Sequence, residues 1–171
     1  MSPKYALAYA YRAGVYFNQN NFNQAVTDAS LSIELDPTQA LAYVTRGMSY
    51  ASLGNVKSKQ DIDLAIANAT QLLAKQPKNA QTYYFRALAY LSTGKRGDQA
   101  TADIIIADCN QSIAANPLYS PAYNLRGGVY MVIKKYKQAR EDWNKVIEID
   151  PNSVMASAAA SNIKLLGKKG K

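Results

Sequence analysis

The chain has 171 residues, 48% of them hydrophobic, with 20 Lys and Arg against 12 Asp and Glu for a formal charge of +8. That apolar content suffices for the core of one domain of ordinary size and excludes a disordered class, while the charge admits nucleic acid, anionic lipid or an acidic partner without selecting one. A single cysteine excludes an internal disulfide, and the absence of histidine removes the commonest metal ligand and general base.

The start, MSPKYALAYAYRAG, has no long apolar stretch of the signal-peptide kind, and no run reaches the roughly 18 apolar residues of a membrane span. A soluble chain is expected, with the cytoplasm the favoured compartment; a fragment of a longer repeat protein fits the same sequence.

Helical periodicity then begins. Ala6, Tyr9, Ala13 and Tyr16 mark one helix face, and Phe22, Ala25, Val26, Ala29, Ile33 and Leu35 mark a second, ended by Pro37. The next segment opens with Tyr43, Arg46, Gly47 and Tyr50. Gly54 is placed as the glycine that ends its first helix, Ser58 as the N-cap of its second with Asp61 completing a capping box, and Pro77 as the stop. A third segment repeats the plan with Tyr83, Arg86, Ala87 and Tyr90, then Gly94, an N-cap at Asp98 and Pro117. The fourth carries Tyr123, Arg126, Gly127 and Tyr130 and ends at Pro151, after which VMASAAASNIKLL, Val154 to Leu166, reads as one more helix.

Tyr-x-x-Arg-[Gly/Ala]-x-x-Tyr thus recurs in four copies, following Tyr9, Tyr43, Tyr83 and Tyr123. A period of about 34 to 40 residues signals stacked helix–turn–helix units, none of which buries its apolar face alone. The middle copies carry six extra residues, assigned to a longer turn and about one more turn of second helix.

This pattern resembles the tetratricopeptide repeat. The resemblance covers residues 6–151 as repeats at about 6–39, 40–79, 80–119 and 120–151, with a capping helix and basic tail at 152–171. It implies an all-α, right-handed α-solenoid, a superhelix of four repeats closed by the C-terminal helix. The second helices depart from the family pattern: Ile105 replaces the alanine seen at Ala25 and Ala65, and the aromatic column reads Ala29, Ala69, Cys109 and Trp143. Closer helix packing is expected where the aromatic is missing.

On this plan the glycines mark close helix crossings and the tyrosines fill the space between helices. Each arginine is expected to pair with an acidic residue of the second helix, Asp28, Asp108 or Asp142, with Asn68 standing in that column of the second repeat. Several motifs are set aside. Arg96-Gly97-Asp98 matches an adhesion tripeptide, but Asp98 already has a capping role. The sequons at Asn68 and Asn110 fall inside helices, and Cys109 occupies a core column. No catalytic residue, metal site or cofactor is expected. The basic residues Lys134, Lys135, Lys137, Arg140, Lys145, Lys164, Lys168, Lys169 and Lys171 read first as solvated faces.

In arrays resembling this one, partners bind an inner surface lined by the first helices, at the residue after the first tyrosine and four further on. Here those are Ala10 and Gly14, Val44 and Met48, Tyr84 and Leu88, Asn124 and Gly128. With Leu7, Phe17, Leu41, Gln81, Leu91, Met131 and Val132 they define a largely apolar candidate groove. Chaperone-tail-binding members carry Lys, Asn and Arg in these columns to hold a terminal carboxylate; only Asn124 matches. The expected function is a non-enzymatic protein-interaction scaffold taking an apolar or amphipathic peptide segment. Self-association and a nucleic-acid-associated adaptor using the basic last repeat are the alternatives, nucleic acid being the less favoured partner.

Overall fold

The computed structural model describes residues 3–94 and 98–167. Among them are nine helices and no strand: α1 (Pro3–Asn18), α2 (Phe22–Leu35), α3 (Ala40–Ser52), α4 (Ser58–Lys75), α5 (Ala80–Ser92), α6 (Gln99–Ala115), α7 (Ser120–Val132), α8 (Tyr136–Ile149) and α9 (Val154–Leu166). They make four helix–turn–helix repeats and a closing helix. The helices gather into two compact units, Met1–Pro77 with Leu88–Thr93, and Lys78–Ala87 with Gly94–Lys171.

The turns follow from backbone chemistry. Gly54 and Gly94 take φ of 68° and 80° after α3 and α5, where a side chain would be strained. Asn20 and Lys134 adopt φ of 61° at the same place in the first and fourth repeats, a conformation that asparagine tolerates but that lysine does not announce in the sequence. Asp98 caps α6 by accepting from the Thr101 amide at 2.9 Å. Replacing Asp98 with Ala is expected to lower stability by about 1 kcal/mol in a thermal or urea melt. Ser58, by contrast, is the first residue of α4 and caps nothing; Lys57 holds the N-cap position, and the Asn55 side chain orders the turn by accepting from the Lys57 amide at 3.0 Å. Arg96 and Gly97 of the tripeptide, and Lys168, Lys169 and Lys171 of the tail, lie outside the described residues.

The second helices differ in length as the proline spacing predicts. α4 and α6 have 18 and 17 residues, α2 and α8 have 14 each. The added residues do not sit in the same place. Three arginines pair with the expected aspartates, Arg12 with Asp28, Arg86 with Asp108 and Arg126 with Asp142, each through Nε and Nη2 to the two carboxylate oxygens. In the second repeat the partner is Asp61, at 2.7 and 2.9 Å from Arg46. The expected stand-in, Asn68, instead donates to the Pro37 carbonyl at 2.9 Å.

Asp61 and Asn68 are seven residues apart, two helical turns, and so share a face. The hairpin has slipped along that face: Arg46 and Gly47 meet Asp61 and Ile62, while Arg126 and Gly127 meet Asp142 and Trp143. Asp28, Asp108 and Asp142 stand nine residues before their prolines, whereas Asp61 stands sixteen before Pro77. The second repeat therefore carries its extra length after the ion pair and the third carries it before.

Each unit has its own core. In the first, Tyr43, Val44, Ile62, Ala65 and Ala89 are buried together, with Ile33, Met48, Ile66 and Leu88 packed on them. In the second, Ala139, Trp143, Val146, Ala159 and Leu166 form the centre, with Tyr123, Tyr130, Tyr136, Ile147, Met155 and Ile163 around it. α9 is fixed there by its Ser153 cap, which accepts from the Ala156 amide at 3.0 Å, and by Arg140 donating to the Gly167 carbonyl at 2.8 Å.

Candidate functional site

The recurrent tyrosines and arginines assemble the repeats. Within a first helix the tyrosines stand three before and four after the arginine, so all lie on one face. Arg46 lies over the Tyr43 and Tyr50 rings, at 5.6 and 6.0 Å from their centroids, and Arg126 over Tyr123 and Tyr130 at 5.6 and 5.9 Å. Their third guanidinium nitrogen reaches the preceding repeat. Arg46 Nη1 donates to Ser30 Oγ at 3.2 Å, and Arg126 Nη1 donates to Asn110 Oδ1. The Asp61 and Asp142 hydrogen bonds raise both guanidinium groups above their ordinary range. Each arginine thus ties its own second helix to the repeat before it, which occupies the side chain in the scaffold.

Both sequon asparagines are used in the same way, Asn68 towards Pro37 and Asn110 towards Arg126. Cys109 is buried, and burial pushes its thiol up to about 12, so it packs as a small apolar side chain. Arg140 and Lys145 of the basic stretch are engaged with Gly167 and Glu148. Among the described residues there is no cluster of metal-ligating side chains and no helix long and apolar enough to cross a membrane.

The candidate groove residues divide into several environments. Val44, 1% exposed, belongs to the core of the first unit, and Leu41 is buried as well. Neither offers surface to a partner. In the first two repeats the residue after the first tyrosine, Ala10 or Val44, is turned into the packing. Met48 and Leu88 pack on that same core and remain half-exposed. Phe17 and Leu91, also half-exposed, belong to the first unit too, with Phe17 tilted against Phe22 at a centroid distance of 5.6 Å. Leu7 is exposed on α1.

In the second unit Tyr84 is covered by Tyr119, edge to face at 5.5 Å, and burial pushes its phenol up to about 12. Asn124 is half-buried, and Met131 and Val132 are exposed two turns further along α7. Sequence reasoning missed Tyr119, a turn residue outside every repeat column. Its only signal is the Pro117-Leu-Tyr-Ser turn, where an aromatic has no packing role within either helix.

Sequence profiles of the tetratricopeptide repeat match residues 56–103 and 120–153. Similar solved structures include a thermophilic TPR protein of Thermus thermophilus, 17% identical over 95% of this chain and 84% of that one, with a TM-score of 0.70. The second TPR domain of human RPAP3, solved in complex with the HSP70 peptide SGPTIEEVD, is 27% identical over 74% of this chain and 95% of that one, with a TM-score of 0.54. MamA of Desulfovibrio magneticus RS-1 is 20% identical over 90% of this chain and 78% of that one, with a TM-score of 0.52. A search of curated protein sequences finds no match. Residues 56–103 and 120–153 are thus matched as tetratricopeptide repeats, and the chain shares the fold of solved TPR proteins.

Proposed function

We propose that the chain is a non-enzymatic protein-interaction module, and that an apolar or amphipathic helical segment docks on the first unit beside Met48 and Leu88. The observation that carries this is the pair itself. Two flexible apolar side chains rest on one rigid core and keep part of their surface in water, so covering them gains apolar burial with little rearrangement. Leu91, half-exposed a turn beyond Leu88 on α5, extends the apolar surface. The peptide held by the RPAP3 domain supports the broader class of ligand.

The chemistry of the columns sets the finer choice. No Lys or Arg stands among Ala10, Gly14, Val44, Met48, Tyr84, Leu88, Asn124 and Gly128, so no fixed charge there orients a terminal carboxylate. A docked helix is instead read by shape, with Met48 adapting to its side chains and permitting several related sequences.

Displayed amphipathic peptides selected on the protein provide the test. Leu88→Asp places an unpaired charge in the contact and is expected to weaken the selected peptide by about 2 kcal/mol in calorimetry while leaving the helical signal intact. Affinity is expected to change little with salt, since apolar burial is not screened. Unchanged binding by Leu88→Asp together with a steep salt dependence would move the site to the basic residues of the fourth repeat.

A further inference from the structure

The turns that join first to second helices in the first, second and fourth repeats share one backbone. The same two hydrogen bonds close each: Asn20 N donates to the Phe17 carbonyl and Asn21 N to that of Tyr16, Gly54 N to Ala51 and Asn55 N to Tyr50, Lys134 N to Met131 and Lys135 N to Tyr130, all at 2.7 to 3.1 Å. The left-handed position is filled by Asn20 and Gly54, which tolerate it, but in the fourth repeat by Lys134, which adopts it at a cost. Lys135 follows where the other two turns have asparagine, and Lys137 lies in the first turn of α8. Nothing in the backbone asks for lysine here. The N-terminal end of a helix carries partial positive charge, so these ammonium groups oppose the dipole of α8 rather than complement it. All three are exposed, and among the described residues none of them forms an ion pair.

The last turn of α7 adds apolar surface to the same tip. Met131 and Val132 are 38% and 45% exposed beside the lysines, in columns that the second repeat fills with Ala51 and Ser52. Those two are exposed as well, in a repeat with others before and after it, so the openness belongs to the hairpin tip and not to an end of the chain. The whole patch lies within the second unit.

We propose that this tip docks on the surface of an anionic phospholipid bilayer. Lys134, Lys135 and Lys137 meet the acidic headgroups, while Met131 and Val132 reach between them to the edge of the acyl region. Charge and apolar surface together select this partner. Nucleic acid would take the lysines but gain nothing from Met131 and Val132. A hairpin tip also has no walls between which a peptide helix could lie, and a fluid bilayer needs none. The strained lysine has its use here: left-handed backbone at Lys134 is retained because its ammonium group is spent on the membrane. None of this rests on the docking site beside Met48.

Co-sedimentation of the full chain with vesicles at low ionic strength tests it, with circular dichroism confirming that each variant is folded. The wild type is expected to bind vesicles of phosphatidylcholine and phosphatidylserine and not those of phosphatidylcholine alone. Two variants borrow the residues of the second repeat, whose turn has the same backbone. Lys134→Gly with Lys135→Asn is expected to lower the partition coefficient about 30-fold, and Met131→Ala with Val132→Ser about tenfold. Lys75→Gln with Lys78→Gln removes the same charge from exposed positions elsewhere and is expected to keep most of the binding. A wild type that ignores the mixed vesicles, either borrowed pair binding as the wild type does, or a Lys75 and Lys78 variant as weak as the Lys134 and Lys135 one would each overturn the proposal. So would a wild type that uses Lys134 and Lys135 to bind duplex DNA or an acidic amphipathic peptide but not the vesicles.

Discussion

Trp143→Ala is expected to destabilise the protein by about 3 to 5 kcal/mol in urea unfolding, as loss of a large, fully buried aromatic side chain does. Trp143 is 1% exposed at the centre of the second core, directly against Gly127. A Cβ placed on Gly127 would lie 2.9 Å from Trp143 Nε1 and 3.1 Å from its Cδ1, inside contact distance. Gly127→Leu alone is therefore expected to cost about 1 to 3 kcal/mol through overpacking. On the Trp143→Ala background the same leucine enters the space the indole leaves, so the double variant should be more stable than the sum of the single losses predicts. Trp143→Phe separates volume from polarity. Nε1 is buried with no hydrogen-bond partner among the described residues, so the loss should be well below that of Trp143→Ala. Additive costs for Gly127→Leu and Trp143→Ala would show that the two do not share one crossing.

The slipped second repeat gives the other large effect. Asp61→Ala removes a carboxylate that accepts two hydrogen bonds from Arg46 and leaves a guanidinium group, itself only partly exposed, without its counter-charge. A loss of about 3 kcal/mol is expected, towards the lower end for a broken buried pair because Arg46 retains some access to water. Asn68→Ala removes one hydrogen bond to the Pro37 carbonyl and is expected to cost about 1 kcal/mol. The order of the two losses reports the register of α3 against α4. If Asn68→Ala cost more than Asp61→Ala, the ion pair would belong to the column that the repeat spacing first indicates.

Much of the fold is legible in the sequence because it rests on local rules. Tyr, Arg and Gly at three- and four-residue spacing define the first helices, Gly54 and Gly94 their ends, Asp98 one cap, and Val154 to Leu166 the closing helix. The slip is not legible, because Asp61 and Asn68 lie two turns apart on one face and a pattern of helical period is blind to such a shift. The left-handed turn at Lys134 is hidden because no glycine marks it, and that at Asn20 is marked only by an asparagine, a weaker signal for the same conformation. For the candidate site, hydrophobic columns identify which residues face other helices but not how near those helices come. Val44 and Met48 look alike as apolar first-helix positions. Only the tertiary packing shows Val44 within the core and Met48 partly exposed against it.

The docking claim is tested most directly on the methionine methyl groups, whose NMR signals are few because the chain has four methionines. Met48 rests half-exposed on the first core, whereas Met155, on α9, packs on the second. Titration with a selected amphipathic peptide is expected to shift the Met48 methyl resonance in step with binding and to leave that of Met155 in place. A peptide that binds while the Met48 resonance stays still would contradict the assignment of the partner site to the surface beside Met48 and Leu88.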